Sequence, residues 1–192
     1  MLTDAAQFLL RTAFDLIACA LFLRFWMQWA RVPFHNPFAQ FVLRVTNFAV
    51  RPLRRVIPGF FGLDWASLIP FYIAELLSVL GSHWLLDYPF AVAGVSVLPA
   101  FLLLALAAAL RLALYLLLGL ILLQAILSWV NPFSPHAPLF YALSRPLLKP
   151  FQKLIPPIGG VDITPVVALI VVQLLLIAPV SALERLARTM VW

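Results

Sequence analysis

Arg51-Pro-Leu-Arg-Arg-Val-Ile-Pro-Gly-Phe-Phe-Gly-Leu-Asp64 returns 98 residues later as Lys149-Pro-Phe-Gln-Lys-Leu-Ile-Pro-Pro-Ile-Gly-Gly-Val-Asp162. The copies agree in basic charge at 51/149 and 55/153, proline at 52/150 and 58/156, isoleucine at 57/155, glycine at 62/160 and aspartate at 64/162. Upstream, Trp29 and Trp129 each close a long apolar run. Agreement at so many positions under one offset means a duplicated unit of about a hundred residues, too long for a solenoid repeat and suited to a two-helix membrane module. The expected organisation is a first repeat over residues 1–90 and a second over 91–192.

Composition agrees with a membrane protein. Of 192 residues, 65% are hydrophobic and 10% charged, against roughly 45–50% and about 25% in soluble domains. The single cysteine, Cys19, excludes a disulfide framework, a Cys-x-x-Cys redox pair and a haem-attachment motif. Leu16-Ile17-Ala18-Cys19 resembles a lipoprotein processing box, but Arg11 and Asp15 interrupt its apolar core and the run continues to Ala30, so a retained helix is expected. The net charge of +6 sits in short loops between apolar runs, where the positive-inside rule accounts for it; nucleic acid is not an expected partner.

In each repeat an apolar span leads through a short amphipathic segment and the basic phrase to a second span. The first repeat places its spans at about 8–30 and 65–86, the second at about 108–130 and 165–183. Arg11 and Trp29 recur as Arg111 and Trp129 with the same separation, which snorkelling at one surface and an aromatic belt at the other explain. Phe38 to Arg51 is too short to span and reads as an interfacial helix, with Phe38, Phe41, Val42, Val45, Phe48 and Ala49 on one side. Its counterpart from Pro138 to Lys149 is expected to be shorter and broken by its prolines. Basic residues crowd the loops within the repeats, whereas the loop joining them has only Asp87. The expected topology is a bacterial inner-membrane protein with both basic loops cytoplasmic and both termini outside, its repeats sharing one orientation.

A tryptophan ending the first span and a Pro-x-x-(Arg/Lys)-x-Ile-Pro-x-x-x-Gly-x-Asp phrase before the second, both present twice, resemble the YggT family of small integral membrane proteins from Phe8 to Leu183. One departure is Phe48, where the second copy has Pro146 as the family pattern usually does. The resemblance implies four spans in two modules. It also implies roles linked, in plastid members, to cytochrome-complex cofactor assembly and membrane or nucleoid organisation, and in bacterial members to cell division and osmotic-shock tolerance.

Three constellations carry chemistry. Arg51, Arg54, Arg55, Lys149 and Lys153, with the helix N-termini behind them, form a candidate site for anionic lipid or an acidic membrane-protein partner; the plainer reading is topology alone. Asp64 and Asp162 directly precede the second spans and read as helix N-caps. Glu75 lies near mid-membrane, with Arg24, Gln124 and Gln173 as candidate partners in a polar clasp or a path between the repeats. His83 reads as interfacial, and His35 and His136 form no metal set with acidic neighbours. The expectation is a non-enzymatic assembly or membrane-organising factor with no cofactor, compatible with a homo-oligomer. The rival is a transport-related protein.

Overall fold

The structure, a computed structural model, describes residues 1–33, 36–57, 59, 62–131, 134, 137–155 and 162–191, with Trp129 and Val191 as backbone. Regular structure among these residues is helical: α1 (Leu2–Trp29), α2 (Pro37–Val56), α3 (Trp65–Trp84), the one-turn α4 (Phe90–Ala93), α5 (Leu98–Val130), α6 (Ala137–Leu154), α7 (Thr164–Leu175) and α8 (Ser181–Val191). A 3-10 turn over Gly94–Val97 joins α4 to α5, and a π-helical stretch over Leu176–Val180 joins α7 to α8. Four helical segments, Leu2–Trp29, Trp65–Trp84, Phe90–Ser128 and Thr164–Met190, are long and apolar enough to cross a membrane. The chain is an all-α membrane protein of four spans in two tandem two-helix repeats, with α2 and α6 as the amphipathic segments.

The packing interfaces use small residues. Along α3 the buried positions are Ala66, Ser67, Pro70, Phe71, Ala74, Glu75, Ser78 and Ser82, at helical spacing on one face. Gly81 meets Leu10 of α1 so closely that an added Cβ would lie 3.0 Å from the leucine's Cδ1. Between helices surrounded by lipid there is little hydrophobic driving force, so small side chains that let backbones approach decide which face turns inward. Helix α5 is the central element, packing against α3, α6, α7 and α8. The repeats meet where the buried Trp26 of α1 donates its indole N–H to the carbonyl of Leu143 on α6, at 2.9 Å.

Two helices extend beyond the expected spans, and two expectations about the amphipathic segments need correction. Helix α5 is 33 residues, about 50 Å, and starts ten residues before Ala108, while the last span runs past Leu183 into α8. Helix α6 is continuous over 18 residues despite Pro146 and Pro150, as α2 is across Pro52. Each proline removes one ladder bond, but the inward faces hold both helices against the bundle through Val50 in α2 and Leu143 and Leu148 in α6, all at most 1% exposed. Finally, α2 divides into three sectors rather than two. Ala39, Val42, Thr46 and Val50 face the bundle; Phe38, Phe41, Val45 and Phe48 are exposed beside them; Arg44, Arg51 and Arg55 complete the circumference. In α6 the positions matching Phe41 and Val45 are Leu139 and Leu143, and they are buried because α6 packs into the core between the repeats.

Candidate functional site

The duplicated phrase closes on itself. In the first repeat Arg54, in the last turn of α2, donates from Nη2 to Asp64 Oδ2 at 2.6 Å and to Gln28 Oε1 at 3.0 Å. Ser67 Oγ donates to the same Asp64 oxygen at 2.6 Å, and Asp64 is 5% exposed. In the second repeat Gln152 donates from Nε2 to Asp162 Oδ2 at 3.1 Å. The partner stands ten residues before the aspartate in both copies, so each phrase is a clasp that ties the amphipathic helix to the start of the next span. Gly62 takes a positive φ of 75° inside the first clasp, a conformation glycine tolerates without a Cβ clash.

These contacts correct two readings. Asp64 occupies the N-cap position of α3, but its carboxylate accepts from Arg54 and from the hydroxyl of Ser67 in the first turn and takes no capping bond from a backbone N–H. Arg54 therefore leaves the set of free basic groups. Arg51, Arg55, Lys149 and Lys153 are exposed. Much of the second Pro/Gly loop lies outside the described residues, as do His35 and His136.

The intramembrane polar set is also rearranged. Arg24 is 4% exposed, and its Nη1 donates to Thr46 Oγ1 at 2.9 Å and Asn47 Oδ1 at 3.0 Å on α2. It does not pair with Glu75, because Arg24 lies one turn and a half from the loop end of α1 while Glu75 is half-way along α3; the guanidinium reaches toward the nearer polar edge. Gln173 is exposed on α7. Gln124 is half-buried, with Oε1 lacking a partner among the described residues. No hydrogen bond or ion pair joins any two of these four among the described residues.

A different charged group does come together. A cleft of about 350 Å³ lies over the α3/α5 groove between α1 and α8, lined by Arg11, Asp15, Glu75, Arg111, Glu184 and Arg188 with serines 78 and 82. Arg11 donates from Nε to Ser82 Oγ at 3.0 Å. Arg111 and Arg188 each bind one oxygen of Glu184, the latter at 2.6 Å. Glu75 is 3% exposed, and its Oε1 has no partner among the described residues. In the sequence Arg11 and Arg111 read as arginines snorkelling at one membrane surface, each opposite the tryptophan of its own repeat. Their equal place in the two repeats was the available signal that they could converge. His83 lines the cleft too, its Nδ1 2.8 Å from the carbonyl oxygen of Val79 and its ring edge-on to Phe101.

The sequence matches the CCB3/YggT family profile over residues 3–85 and 103–183. The chain belongs to the CCB3/YggT family. It is 35% identical over 187 residues to a protein of Escherichia coli strain K12 named "Uncharacterized protein YggT", covering 97% of this chain and 93% of the relative. It is 36% identical over 176 residues to "Uncharacterized protein PA0392" of Pseudomonas aeruginosa, covering 91% and 87%. Over 171 residues it is 36% identical to "Uncharacterized protein in proC 3'region" of Vibrio alginolyticus, covering 88% and 90%. No solved structure matches. Each YggT segment contains one complete clasp, whereas Glu184 and Arg188 of the cleft lie beyond the second segment.

The second YggT clasp carries a pH signature. Burial by itself raises the Asp162 carboxyl, but bonds from the Thr164 hydroxyl at 2.6 Å, the Thr164 N–H at 2.9 Å and Gln152 outweigh it and hold the group below its ordinary value of 3.8. A depressed folded pKa gives stability that is present above 3.8 and lost as pH falls through the lower folded value. Acid titration of unfolding in detergent should show this limb in the wild type and lose it in Asp162→Asn. An unchanged acid limb would remove Asp162 as its source.

Proposed function

We propose that this chain is a non-enzymatic membrane-organising or assembly protein of the bacterial inner membrane. Its basic loops are cytoplasmic, and its α2 and α6 surfaces are offered to anionic lipid and to a membrane-protein partner. The observation that carries this reading is the three-sector surface of α2: exposed Phe38, Phe41 and Phe48 stand beside exposed Arg44, Arg51 and Arg55 while a third face is committed to the bundle. Aromatic side chains at the acyl boundary and guanidiniums at headgroup level are what an interfacial helix needs. Lys149 and Lys153 add the same charge from α6.

Lipids retained by the purified chain in nanodiscs of mixed phosphatidylglycerol and phosphatidylcholine test it. Each basic residue near an anionic surface contributes about 1 kcal/mol, or roughly fivefold in local enrichment. Arg51→Gln with Arg55→Gln should abolish most phosphatidylglycerol enrichment, and adding Lys149→Gln with Lys153→Gln should remove the rest. Enrichment that survives all four changes would leave these residues as orientation signals. A transport-related role is the second reading, supported by the charged cleft reaching Glu75, and ion or solute flux in reconstituted vesicles decides it.

A further inference from the structure

The cleft contains an acceptor and a donor that nothing among the described residues satisfies. At its floor, Glu75 is 3% exposed with Oε1 unpartnered among the described residues, at the middle of a membrane-crossing helix. A carboxylate in that position is costly unless something donates to it. At its rim, Arg11 uses only Nε, bound to Ser82, so its terminal guanidinium nitrogens remain available among the described residues. Glu184 does not supply the missing acceptor, since Arg111 and Arg188 occupy its two oxygens. Nor does Asp15, which lines the same cleft but makes no ion pair with Arg11 among the described residues.

Floor and rim are joined by one face of α3. Glu75, Ser78 and Ser82 follow at i, i+3 and i+7, so the cleft descends about 10 Å from Ser82 to the carboxylate. Its volume of about 350 Å³ falls in the range of small-molecule sites, roughly 300–1,000 Å³. A group that donates hydrogen bonds and carries positive charge suits the floor. An acidic group suits the rim, where Arg11 offers a planar fork and Arg188 a second, largely exposed guanidinium.

We propose that this cleft binds a small primary-ammonium zwitterion, with its N–H groups on the Glu75 carboxylate and its phosphate or carboxylate on Arg11. Two sources carry that chemistry: the headgroup of an ethanolamine phospholipid entering between α1 and α8, and a soluble amino acid. The inference concerns binding alone. It goes beyond the organising role and does not depend on it, and binding without flux would sink the transport reading while leaving this one intact.

The experiment exploits a pair of ligands that differ only in N–H donors. Native mass spectrometry of the full chain in detergent would measure short-chain phosphatidylethanolamine against short-chain phosphatidylcholine, and glycine against its trimethylated form. Trimethylation keeps the positive charge and removes every donor. In at least one pair the primary amine should bind about tenfold more tightly or better, the order expected for a charge-assisted bond. Discrimination in the lipid pair identifies the headgroup as the source, and in the soluble pair the amino acid. Glu75→Gln should collapse the discrimination, whereas Arg11→Gln should weaken both members of the pair alike. Equal binding within both pairs, or discrimination that survives Glu75→Gln, overturns the proposal. If Glu75→Gln fails to fold, the wild-type pairs and the exposed Arg11→Gln variant still decide it.

Discussion

Trp26→Ala is expected to destabilise the protein by about 4 kcal/mol, the range for truncating a buried tryptophan. Trp26 is 5% exposed, stacks on Phe22 with centroids 6.0 Å apart and meets Trp29 edge-on at 4.7 Å. Its N–H to Leu143 is the bond that crosses from the first repeat to the amphipathic helix of the second. Trp26→Phe keeps much of the ring and deletes the donor, so it should cost about 1–2 kcal/mol. Unfolding in mixed micelles, followed by the remaining tryptophan fluorescence, measures both. A phenylalanine variant as damaged as the alanine variant would assign the effect to the hydrogen bond. Losses below about 1 kcal/mol in both would mean that the contact of α1 with α6 does not hold the repeats together.

Asp64→Ala should cost about 3 kcal/mol and Asp64→Asn about 2, while either change at Asp162 should cost about 1. The difference lies in what each carboxylate holds. Asp64 Oδ2 receives Arg54 and the buried Ser67 hydroxyl, both at 2.6 Å, and losing it strands a hydroxyl with no exposure. The cost stays at the low end for a buried pair because Arg54 is 48% exposed and can return to water. Asp162 is served by neutral donors alone. Arg54→Gln copies the pair that the second repeat already uses and should cost no more than about 1 kcal/mol. Should Asp64→Asn melt with the wild type, the negative charge would be dispensable and the carboxylate a simple acceptor.

The duplication, the four spans and the amphipathic segments were legible because they depend on length, hydropathy and repetition. The clasp was legible in principle, since Arg54 and Gln152 keep the same spacing from Asp64 and Asp162. Which apolar face of α2 turns inward was not. In water Phe41 and Phe48 would be buried before Ala39; beside lipid their size confers no such preference, and the small residues win by allowing close approach. Pairing Glu75 with Arg24 failed for another reason. Opposite charge suggests a partner, but depth along two antiparallel helices decides whether the groups can meet. The meeting of Arg11, Arg111 and Glu184 at one cleft is a tertiary fact that no local pattern encodes.

The π-helical stretch over Leu176–Val180 sets the phase of everything after it. It contains Pro179, which supplies no N–H, and the Ser181 hydroxyl reaches back to the Leu176 carbonyl at 3.0 Å. A π turn accommodates about one more residue than an α turn, and each residue advances the helix by about 100°. Glu184, four residues beyond Val180, owes its aim at Arg111 to that added rotation. An unbroken α-helix through the same sequence would swing the carboxylate around the axis and turn α8 as a whole, taking the buried Ala187 away from Phe101 and Leu104. The last span thus works like a shaft with a keyed joint: the half above Leu175 meshes with α5 and α6, and the half below is clocked separately, so that one wall of the cleft is positioned by a miscount in the helical ladder.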